Sequence, residues 1–185
     1  VIKEVLNEAD DKMSKSVEAT REEFATIRAG RANPSMFAKL TADYYGTPTP
    51  LQQLASFTSQ DARTIIVAPF DMGALAEIEK SIRDSDLGVN PSNDGRTIRC
   101  VFPELTEERR KEYIKLAKAK AEDGRVSVRN VRRTAKQSLE RLEKDGDVGQ
   151  DDVTGAEKKL DALTKKHTDA IDEMLKNKEA ELLEV

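Results

Sequence analysis

Three long stretches of the chain repeat apolar residues at threes and fours, the spacing that places them on one buried helix face. The longest runs from Leu105 to Asp145, where Tyr113, Ala117, Val128, Val131, Ala135, Leu139 and Leu142 share a side. Thr106 is placed to accept from first-turn N–H groups, and Glu107 and Glu108 suit the positive end of the helix dipole. At about 1.5 Å per residue this helix would be about 60 Å long. Residues 1 to 29 predict a second helix, with Ile2, Leu6, Ala9, Met13, Val17, Phe24 and Ile27 in step and Thr20 in the remaining slot. Nothing breaks it before Gly30, after which Asn33-Pro34 forbids continuation. Asp145-Gly-Asp-Val-Gly stops the central helix. A third then runs from about Asp151 to Leu183 on a seam of Val153, Ala156, Leu160, Leu163, Ile171 and Met174. His167 lies on that seam and reads as a packed, hydrogen-bonded core residue. Gly124 falls among the apolar positions of the central helix, at a cost of about 1 kcal/mol against alanine. It marks a bend or a close helix crossing.

Between the first two helices the texture changes. Leu40 to Tyr45 alternates weakly and ends at Gly46, and Thr-Pro-Thr-Pro follows as a donor-poor turn. Leu51 to Phe57 is ambiguous and is taken as a short strand. Arg63 to Phe70, a β-branched run stopped by proline, is the strongest strand signal. Asp71 caps a helix reaching Asp84, with Leu75, Ile78 and Ile82 on one face. Leu87-Gly88-Val89 leads into Asn90 to Gly95, a cluster of turn formers, and Thr97 to Phe102 is a closing strand containing Cys100. The elements predict an α+β fold. An elongated antiparallel three-helix bundle (residues 1–30 and 105–185) carries a small inserted α/β domain (31–104). The connections, Gly30-Arg31-Ala32-Asn33-Pro34 and Pro103-Glu104-Leu105, form either a hinge or a fixed elbow.

The polar side of the central helix carries a second pattern. At about 100° per residue, Lys111, Lys118, Arg125, Arg129, Arg132 and Lys136 fall within a sector roughly 60° wide, flanked by Arg133. A solvated face is the plain alternative. Two features argue for more. The centre is arginine, whose planar fork suits bidentate phosphate contact. Like charges three and four apart also oppose their own helix, which suggests a polyanionic partner. Arg28 and Arg31 flank Gly30, either as further cations for that partner or as simple complements to the helix dipole.

Composition sharpens this. Of the 185 residues, 36% are charged and 4% aromatic, with no tryptophan, so the core is aliphatic and thin. The net charge of −4 argues against indiscriminate binding of nucleic acid, so a basic stripe means positioned contact. A single cysteine excludes internal disulfides and cysteine-based metal clusters and fits a reducing cytosol. No apolar run is long enough for a membrane span, and the start of the chain carries no signal-peptide pattern. One histidine and one distant cysteine cannot supply a zinc site, and no phosphate-cradling glycine motif occurs. Neither an enzyme nor a cofactor is expected.

Six segments in order resemble the bacterial ribosome recycling factor family: TIRAGRANP (26–34), DYYGTPTPLQQLAS (43–56), SDLGVNP (85–91), LTEERRKE (105–112), VSVRNVRR (126–133) and NKEAELLEV (177–185). The resemblance spans the whole chain. It implies an L-shaped, transfer-RNA-like molecule with a two-stranded hinge at Gly30–Pro34 and Pro103–Leu105. It further implies a cytoplasmic, monomeric, non-catalytic translation factor that binds the large ribosomal subunit and its rRNA. With elongation factor G and GTP hydrolysed by that partner, such a factor splits the post-termination ribosome, releasing messenger RNA and deacylated transfer RNA. Arg129, Arg132 and Arg133 match the family's RNA-contacting positions, with Arg125 just upstream; Lys118, Lys136, Arg28 and Arg31 complete the candidate set. The alternative from another class is a helical adaptor or chaperone that binds acidic proteins through the same stripe.

Overall fold

The computed structural model describes residues 1–184, and its contacts divide the chain into two compact units. One comprises Val1–Phe24 and Lys115–Glu179; the other comprises Ala25–Ile114 and the residues from Ala180 onward.

The first unit is made by helices α1 (Ile2–Ala25), α4 (Glu107–Lys144) and α5 (Gln150–Leu183), except that the first two turns of α4, with Tyr113, and the last residues of α1 and α5 group with the second unit. Their predicted apolar faces are the buried ones: Ala9, Met13, Val17, Thr20 and Phe24 on α1; Ala117, Val128, Ala135 and Leu139 on α4; Val153, Ala156, Leu160 and Ile171 on α5. Cross-helix contacts fix the directions. Ser16 meets Ser127 (2.8 Å) while Lys120 reaches back to Glu23 (3.6 Å), so α1 and α4 are antiparallel. Arg125 with Asp172 and Arg132 with Asp161 give the same result for α4 and α5. Gly124 sits at a close crossing: a Cβ there would lie 2.3 Å from Thr20 Oγ1 and 3.1 Å from Ile171 Cδ1. Thr106 starts α4 as expected, its Oγ1 accepting from Arg109 N at 3.1 Å. Helix α1 stops at Ala25, four residues before the sequence pattern ends; Ile27 and Arg28, which follow it, are buried and group with the other unit.

The second unit holds a two-stranded and a four-stranded antiparallel sheet. Strands β1 (Thr41–Tyr44) and β2 (Thr47–Pro50) form a hairpin closed by Tyr45 (φ 51°) and Gly46 (φ 82°). Positive φ at both turn residues is the hairpin geometry that matches strand twist. Thr-Pro-Thr-Pro is therefore a strand, not the expected turn. It pairs with β1 alone, and an edge is where alternating prolines are tolerated. Leu51–Leu54 forms one helical turn, α2, ahead of β3 (Ala55–Asp61). Strand β4 (Thr64–Pro69) is followed by the Asp71-capped segment, whose first turn is 3₁₀ (Met72–Ala74) before α3 (Leu75–Asp84).

Strand β5 (Asn90–Asn93) corrects a second expectation, since these turn-forming residues pair with β6 (Ile98–Val101) and the turn lies beyond them. There Asp94 Oδ1 accepts from Arg96 N (2.9 Å) and Thr97 N (2.8 Å), and Gly95 takes φ 88°. The four-stranded order is β3-β4-β6-β5. Period-2 alternation points Ile65, Val67, Ile98 and Cys100 into a core shared with Phe37, Leu51, Ile78, Ile82 and Phe102.

Both segments joining this unit to the helices are tied to the β3–β4 turn. Ala32 N donates to Ala62 O (2.7 Å), and Phe102 N donates to Arg63 O (2.7 Å). Asn33 caps a 3₁₀ turn, Pro34–Phe37, its Oδ1 accepting from Ser35 N. Leu105 is buried.

Candidate nucleic-acid interface

The arginines of the α4 stripe do not stand alone. Arg125 donates from Nε to Asp172 Oδ1 (2.7 Å) and from Nη1 to Glu122 Oε2 (2.9 Å). Arg129 Nη1 reaches the other Glu122 oxygen at 3.2 Å, and Arg132 Nε donates to Asp161 Oδ1 at 2.8 Å. Three guanidinium groups thus alternate with three carboxylates. The stripe is compensated, which corrects the expectation that it opposes its own helix. Glu122 lies three residues before Arg125 and seven before Arg129, a relation visible in the sequence. Asp161 and Asp172 lie 29 and 47 residues from their partners, and only the packing of α5 against α4 brings them there.

Electrostatics agree with the geometry. Hydrogen bonds from Arg125 and Arg129 hold the Glu122 carboxyl below the usual glutamate range. Burial works against the charge on Arg125, yet the Asp172 and Glu122 carboxylates together raise its pKa.

Charge pairing fixes where the forks point. A guanidinium has five N–H donors. Arg132 commits only Nε and Arg129 only one terminal nitrogen to carboxylates, so donors are left for a further acceptor. Arg132 and Arg129 side chains are 38% and 53% exposed, against 19% for Arg125, which acts more as a strut between α4 and α5. Arg133 and Lys118 are exposed and Lys136 half-buried, and none has a carboxylate partner among the described residues. The row as built offers oriented, partly unsatisfied N–H donors to an anionic surface.

The other two predicted cations lie in the second unit. Arg31 is exposed in the first connection. Arg28 is 6% exposed: it donates to the Pro103 carbonyl, and its Cζ lies 5.6 Å from the centre of the Phe102 ring. Burial pulls its pKa below the usual arginine range. Its charge is spent inside the protein, holding the two connections to each other, rather than displayed at the surface.

The chain's other reactive side chains are committed to structure. His167 is buried, with Nε2 2.7 Å from Asp10 Oδ1. The Cys100 thiol is pushed up to about 12 by burial and, secondarily, by Glu79. Among the described residues no group of histidine, cysteine and carboxylate side chains could hold a metal ion, and no helix is long and apolar enough to cross a membrane.

A family model described as ribosome recycling factor matches residues 20–183. The chain belongs to the ribosome recycling factor family. A ribosome-recycling factor from Nocardioides sp. is 77% identical over 185 residues, covering all of both chains. Another, from Kineococcus radiotolerans, is 62% identical over the same length. Among solved structures, a solution structure of the ribosome recycling factor covers 100% of this chain and 98% of its own at 36% identity, with a TM-score of 0.80. A second match, at 41% identity and a TM-score of 0.69 over the full length of both chains, comes from models of the T. thermophilus ribosome recycling factor and E. coli elongation factor G bound to the E. coli post-termination complex. The α+β fold and a role in ribosome recycling thus follow from family membership.

Proposed function

We propose that this protein binds the post-termination ribosome and, together with elongation factor G, splits it into subunits. GTP is hydrolysed by the partner; the chain itself does no covalent chemistry and needs no cofactor. It acts as a monomer in the cytoplasm. The observation that carries the reading is the row of oriented guanidinium groups on α4, in a chain that matches recycling factors from end to end. The relative placed with elongation factor G on the post-termination complex supports the choice of partners.

In this reading the face bearing Arg125, Arg129, Arg132 and Arg133 lies against rRNA of the large subunit, with Lys118 and Lys136 at its margins and Arg31 at a further contact. Phosphate and sugar contact is the main mode, since A-form RNA is read by shape and backbone. The three-helix bundle (residues 1–30 and 105–185) serves as the anchor. The inserted domain (31–104) moves against it on the hinge formed by Gly30–Pro34 and Pro103–Leu105 when elongation factor G pushes.

Subunit splitting measured by light scattering, with ribosomes, elongation factor G and GTP, tests this. The wild-type chain should drive dissociation. Arg129→Gln with Arg132→Gln should abolish it while the circular dichroism spectrum stays helical. Dissociation at the wild-type rate in that variant would sink the role of the face, and binding to acidic proteins in place of ribosomes would favour an adaptor.

A further inference from the structure

We infer that Glu122, Asp161 and Asp172 set the specificity of the arginine face: they keep its guanidinium groups from being captured by arbitrary polyanions while turning the remaining N–H donors towards an RNA surface of matching shape. The inference rests on the RNA-contacting role proposed above and assigns the acids as positioning residues within it.

Three observations carry it. The pairing is complete along the centre of the face, because Arg125, Arg129 and Arg132 each meet a carboxylate at 2.7–3.2 Å. Two of the three acids come from α5, so they are not the i, i+4 partners that a soluble helix carries for its own stability. The bonds are also asymmetric: Nε of Arg132 and one terminal nitrogen of Arg129 are taken, which leaves other N–H groups of each fork unpaired by these acids.

The physical consequence is selective. An unpaired arginine cluster attracts any phosphate chain, because counterion release rewards neutralisation whatever the sequence or shape. With a carboxylate on each guanidinium, the local charge is close to zero beyond a few ångströms. A flexible polyanion then gains little from approach, and phosphates placed beside Asp161 or Asp172 meet like charge. A rigid RNA surface whose oxygens reach the unpaired N–H groups, and avoid the carboxylates, still gains full charge-assisted hydrogen bonds. The acids thus cost some attraction everywhere and more for the wrong partner. Arg133, Lys118 and Lys136, without carboxylate partners among the described residues, remain to guide approach.

The test compares the wild type with Glu122→Gln/Asp161→Asn/Asp172→Asn, which keeps the shapes and removes the charges. Each protein is titrated with fluorescent polyuridylate over a series of salt concentrations, and co-sedimented with purified large subunits. The triple variant should bind polyuridylate about tenfold or more tightly than wild type, with a salt slope steeper by about 2, near −0.7 for each cation freed onto a single strand. Its preference for large subunits over polyuridylate should fall accordingly. Unchanged polyuridylate affinity and slope, in a protein that melts as wild type does, would overturn the inference. Should the triple variant fail to fold, Asp161→Asn alone carries the test, freeing only Arg132 and steepening the slope by about 0.7. Absence of large-subunit binding by the wild type would count against the proposed function instead, a result separate from the comparison on polyuridylate.

Discussion

At Gly124 the absence of a side chain lets α1 and α4 approach closely. Thr20 Oγ1, which a Cβ would meet at 2.3 Å, is already donating to Ser16 O at 2.9 Å, so rotating it away breaks that bond. Alanine would gain about 1 kcal/mol of helix propensity, but overpacking costs about 1–3 kcal/mol. Gly124→Ala should therefore lower stability in thermal melts, and adding Thr20→Ala should recover much of the loss. A more stable Gly124→Ala protein would contradict the close crossing. Cys100 gives a second residue-scale expectation: with its thiol pushed up to about 12 inside β6, it should be inert to thiol reagents at neutral pH until denaturant is added. The glycine's place on the helix was legible in the sequence as a misfit on an apolar face. That it marks a crossing rather than a bend depends on Thr20 and Ile171, residues that only the packing brings together.

At the scale of elements, three turns of the second unit are each closed by an aspartate. Asp61 accepts from Arg63 N, Asp71 from Gly73 N and from the Tyr44 hydroxyl, and Asp94 from Thr97 N and Arg96 N. In each case a backbone N–H bond is the chief reason the carboxyl lies below its ordinary range. A depressed folded-state pKa contributes stability that is present above the unfolded value and lost as pH falls through the folded one. The second unit should thus lose stability as pH drops below about 4, the ordinary carboxylate range. All 3 tyrosines lie in this unit, so tyrosine fluorescence during thermal melts reports it selectively. A melting temperature flat from neutral pH down to the acid range would refute the assignment. Long helices were readable because their apolar period persists over many turns. Strands β2 and β5 were not, since Thr-Pro-Thr-Pro and Asn-Pro-Ser-Asn carry turn formers, and only the neighbouring strand in the sheet reveals them as edges. The end of α1 was misplaced for a similar reason: Ile27 keeps the helical spacing but is buried in the other unit.

For the molecule as a whole, the family match and the fold lead to recycling, and the arginine row on α4 is where that function would be felt as binding. The row's position was legible in the sequence, because a 100° period gathers Arg125, Arg129 and Arg132 on one side. The carboxylates that pair with two of them were not, because Asp161 and Asp172 reach the row only through the α4–α5 packing. The most direct measurement is co-sedimentation of the purified protein with vacant ribosomes over a series of salt concentrations, for wild type and Arg132→Glu. Wild-type binding should fall steeply with salt, as counterion release requires. Arg132→Glu, which sets a second carboxylate against Asp161, should lose binding with its helical spectrum preserved. If the folded variant binds as tightly as wild type, with the same salt slope, the α4 face is not the RNA contact.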